Sequence, residues 1–327
     1  VKLGYALLAE QSGPVDLIGH AVRAEAIGFD FEAISDSLAP WLPSQGHAPN
    51  AWPVLGAIAH ATHRVDLMTF STSLVGRYHP AVVAQLAGTV GLLCDGRFTL
   101  GLGTGDNVSE HAIGQGWPSQ RVRLERLGEA IQIIDGMLRG RVVDFAGQHF
   151  QVEGARAWDV PKRFPAIGVV VTDEQTAMLA GRRGDAMLGY EPDAELVQSF
   201  EDNGGLGGPR IGQLAISYDP DPAAARQRAH DQFRWRALSP HTAAQAPGPD
   251  AVADAARFVR PEDTAAIIPS GPDLDTYRRA ITRYAEAGYS HVAIAQIGGA
   301  LEQEEFLGWA EAELIPALRA DGLADQI

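Results

Sequence analysis

The stretch Lys2–Ser35, KLGYALLAEQSGPVDLIGHAVRAEAIGFDFEAIS, decides how the chain is read. Two short apolar runs, KLGYALL and FDFEAIS, flank a segment whose apolar residues recur every three to four positions. A short, nearly continuous apolar run suits a strand buried on both faces, and the wider spacing suits an amphipathic helix. Pro14 stands where a first helical turn accepts proline, and Gly28 stands where a helix ends. The unit is strand–helix–strand, so its two strands are predicted to run parallel.

The same alternation continues along the chain. VDLMTFSTSL, RFTLGLGTG, AIGVVV, DAMLGY, RIGQLAISYD and HVAIAQIG read as further strands. AWPVLGAIAHATH, PAVVAQLAGTVGLLC, SQRVRLERLGEAIQIIDGMLRG, EQTAMLAGRRG, AELVQSFEDNG, LDTYRRAITRYAEAG and EEFLGWAEAELIPALRA read as helices, with Ser119 a candidate cap. Eight strands alternating with helices predict an α/β fold, a (β/α)8 TIM barrel forming one domain over residues 1–327. Two interruptions are expected. RVVDFAGQHFQV, Arg141–Val152, reads as a hairpin inserted after helix 4. Residues from about 220 to 272, which include SPHTAAQAPGPD, read as an insertion after strand 7. A doubly wound open sheet is the alternative.

Composition narrows the function. The net charge of −15 argues against nucleic acid, which calls for a basic footprint. No apolar run approaches a membrane span, and the first residues lack the pattern of a secretory leader. Lys2 and Lys162 are the two lysines, so a lysine-based phosphate clamp is nearly excluded. The single cysteine, Cys94, reads as a buried helix-end residue, and a reducing cytoplasm is the expected compartment. His60 and His63 lack the HExxH pattern, no metal site is expected, and no Gly-x-Ser-x-Gly elbow occurs.

In a barrel of this kind the chemistry sits at the C-terminal ends of the strands. Strand 1 ends near Glu10 and strand 2 at Asp36, with AISDSLAPW carrying Trp41 behind it. Strand 3 passes Ser71 and Ser73, and strand 4 ends in GLGTGDNVSE. There Gly103 and Gly105 let backbone approach a ligand, Thr104 offers a hydroxyl, and Asp106 is either a site acid or a cap for the next turn.

As an ordered set, KLGY, AEQ, SDSLAPW, QGHAP, RYHPAVVAQ, GRFTLGLGTGDNVSE, RLERLGEAI, ARAWDVP, AGRRGD and ISYDPDP resemble the luciferase-like flavin and deazaflavin oxidoreductases. Within them the chain is similar to the group of F420-dependent glucose-6-phosphate dehydrogenases, well over the first 190 residues and more loosely over the last 55. The resemblance implies a deazaflavin, coenzyme F420, in the barrel mouth. It implies cofactor contacts from Asp36, Ser73, Thr104 and Gly105, with Thr172 in the loop after strand 5 joining them. Trp41 and Glu10 match substrate-side positions, and Asp106 matches an acidic proton donor. A non-prolyl cis peptide is implied at Phe70–Ser71, and a homodimer is usual in relatives.

Three departures shape the expected function. Ser37 stands where the sugar-phosphate enzymes carry a histidine that takes the alcohol proton, and serine cannot do this near neutral pH without its own base. GYEPDAE and EDTAAIIPSG offer no lysine for a phosphate. Asp173 stands where relatives place glycine, in a loop suited to holding the cofactor phosphate. The expectation is an F420-dependent reductase of an activated C=C or C=N bond in a small-molecule or peptide-like substrate of secondary-metabolism type, not glucose 6-phosphate. The alternatives are an FMN-dependent luciferase-like monooxygenase and a catalytically silent barrel that acts as a binding protein.

Overall fold

The structure, a computed structural model, describes residues 1–325. Eight parallel strands form the barrel: β1 (Lys2–Leu7), β2 (Phe31–Ile34), β3 (Asp66–Thr69), β4 (Phe98–Gly103), β5 (Ala166–Val170), β6 (Ala186–Gly189), β7 (Arg210–Ile216) and β8 (His291–Gln296). Each pairs with the next, β8 pairs with β1, and Leu67↔Phe98 closes β3 on β4. The closed (β/α)8 barrel is the fold read from the sequence. β3 breaks at the Phe70–Ser71 cis peptide and resumes at Thr72–Ser73, which pairs with β4 at Leu102 and Gly103.

Alternation along the strands sorts the side chains. Ala6, Phe31, Ala33, Met68, Val170, Leu188, Ile211, Ala293 and Ala295 form a core distinct from the layer of Leu3, Tyr5, Leu7, Ile34, Leu67, Leu100 and Ile294. The second set packs with the buried faces of the helices, including Leu17, Ala21 and Ala24 of α1 (Pro14–Ile27). Gly4 shows how tight the first set is, since a Cβ there would meet the Phe31 ring at 2.3 Å. The other principal helices are α2 (Ala51–Ala61), α3 (Pro80–Leu93), α4 (Gln120–Leu138), α5 (Glu174–Arg183), α6 (Ala194–Phe200), α7 (Leu274–Glu286) and α8 (Ala300–Trp309). Gly28 ends α1 at φ 106°, a conformation that suits glycine. Ser119 precedes α4 but its side chain makes no capping hydrogen bond, so that expectation is corrected.

The hairpin pairs Val143–Ala146 with Gln151–Ala155. The segment after β7 is helical in pieces, Pro222–Phe233, Arg234–Ala237, Pro240–Gln245, Pro249–Ala255 and Pro261–Ala265. It lies against the loops after β2 and β4. Ser44 Oγ donates to Asp231 O (3.0 Å), Gln45 Nε2 to Gln232 O (3.2 Å) and Asn107 Nδ2 to Gln245 O (2.9 Å). Leu42, Val108, Ala246 and Val252 form a small buried cluster at this junction, flanked by Trp41 and Trp235.

Candidate active site

Two cavities meet at the C-terminal mouth. The outer one, about 460 Å³, is walled by the loops after β4, β5 and β6, the start of α4 and the segment after β7. The inner one, about 80 Å³, reaches toward the barrel axis past Leu8, Phe70, Ser71, Ala215 and Ala295. Trp41, Asp106, Tyr190, Trp235 and Arg236 line both and so form the boundary.

Asp106 follows a glycine turn that cannot be otherwise. Gly105 has φ +74°, and a Cβ there would lie 2.4 Å from Ser73 Oγ. Asp106 then precedes a short turn of helix, Asn107–Glu110, yet its side chain makes no capping hydrogen bond. Of the two roles open in the sequence, capping is therefore not the one this carboxyl takes. Burial pushes it up to about 6, with Glu110 and Glu10 acting the same way and Arg123 opposing. Arg123 comes from α4, is 5% exposed, rests on the Trp117 ring at 4.1 Å and donates to Pro118 O at 2.7 Å.

Glu10 and Ser37 line the inner cavity. The Glu10 carboxylate accepts from Ser35 Oγ at 2.6 Å. Burial raises it above the usual range, while hydrogen bonds from Ser35 and Ser37 pull it back. Trp41 is set by Gln45, whose Oε1 accepts from the Trp41 and Leu42 backbone N–H groups at 2.8 and 3.2 Å. The Trp41 ring stacks on Trp235, centroids 4.0 Å apart. Arg236 beside it donates to Glu191 Oε1 at 2.6 Å. Sequence reasoning missed Trp235, Arg236, Arg123 and Tyr190. The available signal was FRWRA, Phe233–Ala237, an aromatic and basic run inside an otherwise Ala- and Pro-rich insertion.

Thr104, Gly105 and Thr172 line the outer cavity. Asp36 and Ser73 line neither cavity. Asp36, 4% exposed, sits behind the wall, accepting from Thr72 Oγ1 at 2.8 Å and facing Arg77 Nη2 at 3.1 Å. Ser73 Oγ faces the Val75 backbone N–H at 3.4 Å, directly beneath Gly105. Asp173 is accounted for by the helix it begins. Its carboxylate accepts from Thr176 N (2.8 Å) and Gln120 Nε2 (2.6 Å), and the Thr172 and Asp173 N–H groups both reach Thr176 Oγ1 at 3.0 Å. The Thr172, Asp173 and Thr176 N–H groups are thus taken by partners within the turn. The cationic lining of the outer cavity comes from Arg123 and Arg236.

Among the described residues, no group of three or more His, Cys, Asp and Glu side chains could hold a metal ion. Nor is any helix among them long and apolar enough to cross a membrane.

Residues 1–291 match the family model described as luciferase-like monooxygenase. The chain belongs to that family. The resemblance read from the ordered motifs is therefore correct. Family members named F420-dependent glucose-6-phosphate dehydrogenase include one from Microbacterium testaceum, 32% identical with 98% of each chain covered. Another, from Beutenbergia cavernae, is 34% identical with 98% of each chain covered. Among solved structures, an F420-dependent secondary alcohol dehydrogenase in complex with an F420–acetone adduct superimposes with a TM-score of 0.89 at 25% identity, over 97% of this chain and 99% of that one. The F420-dependent tetrahydromethanopterin reductase of Methanopyrus kandleri shares the fold, with a TM-score of 0.77 at 18% identity over 97% and 99% of the two chains.

Proposed function

We propose that this member of the luciferase-like family is an F420-dependent oxidoreductase working as a reductase of an activated C=C or C=N bond in a small molecule other than glucose 6-phosphate. The cofactor assignment rests on the F420-dependent relatives and on the residues that line the site. Coenzyme F420 has a flat ring and an acidic tail. The glycine turn at Gly105 admits close approach, and the outer cavity, about 460 Å³, has the volume for a ring with part of a tail. Arg123 and Arg236 supply the cations an acidic tail needs, in place of the self-capped start of α5. Thr104, Gly105 and Thr172 would hold the ring side, with Asp36 and Ser73 bracing the wall behind them.

The direction of reaction rests on one observation. Asp106 is an uncapped carboxyl at the boundary of the two cavities, held near 6 by burial. A carboxyl in that state carries a proton for a useful fraction of the time near neutrality and is suited to general-acid work. Reduced F420, when bound, supplies a hydride. Asp106 then holds the proton that completes the reduction, Arg123 sets how tightly it is held, and Glu10 keeps a second carboxyl nearby that opposes ionisation of the first. Trp41 and Trp235 exclude water from one side.

The names of the curated relatives point to oxidation of a sugar alcohol, which needs a base for the alcohol proton. In this inner cavity the corresponding position is Ser37, which carries no imidazole, and the two acids that line the cavity with it, Glu10 and Asp106, are both shifted by burial toward holding their protons. The deciding experiment is a titration with F420 and with FMN, followed by visible absorbance of reduced F420 mixed with enones, imines and, after oxidation, glucose 6-phosphate. The proposal expects tighter F420 binding and consumption of the reduced form. Equal or tighter FMN binding sinks the cofactor assignment, and robust glucose 6-phosphate oxidation sinks the direction.

A further inference from the structure

Tyr190 directly follows β6 and lines both cavities. Its neighbours fix everything except its hydroxyl. The Tyr190 carbonyl accepts from Tyr284 Oη at 2.8 Å, and the next carbonyl, of Glu191, accepts from Tyr289 Oη at 2.8 Å. The Tyr190 ring meets Phe70 edge-on at 5.2 Å and carries the Arg236 guanidinium over its face at 5.6 Å. The hydroxyl itself makes no hydrogen bond to any described residue. Four other tyrosines differ: Tyr5 donates to Gln303, Tyr277 to Gly271 O, and Tyr284 and Tyr289 to the carbonyls just named, while Tyr218, whose hydroxyl also makes no hydrogen bond to a described residue, lines neither cavity. A phenol clamped at its ring and backbone, with its polar tip left open in a cavity, is organised to donate to a ligand.

We infer that the Tyr190 hydroxyl donates a hydrogen bond to a carbonyl oxygen of the substrate, so that the bond reduced is a C=C conjugated to a carbonyl group. The inference rests on the reductase reading above and chooses among its substrates. Two features give the choice. Burial, with Asp106 and Glu10 nearby, holds the phenol well above its ordinary value, so it stays a donor throughout the working pH range. Its surroundings also bring Asp106, the acid, and Arg236, a second donor, to the same boundary. In a conjugate reduction the hydride of reduced F420 forms a C–H bond at the β-carbon. The C=C pair shifts to give an enolate, whose oxygen is held by Tyr190 without taking its proton. The Asp106 proton then forms the α-C–H bond, leaving a saturated carbonyl compound, oxidised F420 and an Asp106 carboxylate that regains its proton from water. Donors aimed at a developing oxyanion are worth about a hundredfold or more in rate.

The test needs no loaded enzyme. Cyclopent-2-enone is bound to the protein without cofactor and its carbonyl stretch read by infrared difference spectroscopy, with affinity read from tryptophan fluorescence. Tyr190→Phe keeps the ring contacts and removes one oxygen, and circular dichroism confirms its fold. The expected result is a carbonyl band at lower frequency in the wild type than in Tyr190→Phe, about tenfold weaker enone binding by the variant, and unchanged binding of cyclopentene. An identical band with affinities within twofold overturns the inference, as does failure of the wild type to bind the enone. Consumption of reduced F420 with an imine but not with the enone overturns it too, while leaving the reductase reading in place. Failure to bind F420 removes that reading alone, because the band position does not depend on the cofactor.

Discussion

Trp41 and Trp235 lie face to face, ring centroids 4.0 Å apart and planes 5° from parallel, although 194 positions of sequence separate them. One ring comes from the loop after β2 and the other from the segment after β7. The pair therefore fastens that segment to the barrel at the point where the two cavities meet.

Replacing Trp235 with alanine removes this fastening. The ring is half-buried, so the expected loss is about 2 kcal/mol, below the range for a fully buried tryptophan. Urea denaturation measures it, and limited proteolysis should cut faster between residues 234 and 248. A variant as stable and as resistant as the wild type would show that the stack carries no load.

Asp106→Asn keeps the shape and removes the proton. Turnover of a true substrate should fall on the order of 10²-fold, with F420 affinity changed less than twofold. Wild-type activity should decline as pH rises through about 6, because the working form is the protonated one. That decline should vanish in the variant.

The same carboxyl predicts a stability effect of definite sign. Its proton is held more tightly in the folded chain than in the unfolded one, so its contribution to stability is greatest in acid and is lost as pH rises from about 4 to about 6. At pH 8 the ionised carboxyl costs about 2 kcal/mol after allowance for its partial exposure. Asp106→Asn should then be the more stable protein at pH 8 and nearly equal to the wild type at pH 4, as urea midpoints at the two values will show.

Arg123→Met removes the guanidinium that opposes the rise of Asp106. The carboxyl should titrate higher, and the decline of activity with rising pH should move to higher pH. The loss of an outer-cavity cation should also weaken F420 binding. A variant with an unmoved decline would mean that Asp106 does not sense Arg123.

Asp173→Gly tests the start of α5. The cap is lost, which with glycine costs only a few tenths of a kcal/mol. The Thr176 N–H, which now donates to the Asp173 carboxylate, becomes open to an anion. F420 should bind more tightly, measured by fluorescence titration; weaker binding would show that Asp173 itself serves the cofactor.

The barrel was legible because each strand is a short apolar run bounded by a helix signal, and parallel strands buried on both faces leave that mark in sequence. The candidate acids were legible for a related reason: Glu10 and Asp106 fall just beyond β1 and β4, and Trp41 a few residues beyond β2. What sequence could not show was which side of the wall a strand-end residue faces. Asp36 looks equivalent to Asp106, yet it turns to Thr72 and Arg77, partners 36 and 41 positions on. Trp235 and Arg236 were hidden because their role depends on a fold-back across the mouth that no local periodicity records. Tyr190 was visible as the end of a strand, but an open hydroxyl is defined by what surrounds it.

The segment after β7 meets the rest of the protein at the mouth, through Ser44, Gln45, Asn107 and the tryptophan pair, while Glu10 and Asp106 belong to the barrel. The mouth is thus assembled from two lengths of chain, with the acids on one and Trp235 and Arg236 on the other. Exchanging residues 219–272 would keep Asp106 in place while replacing Trp235 and Arg236, and with them part of the wall of both cavities. Such an exchange has to keep Ala229, Phe233 and Ile268, which pack into the core within the closed sheet.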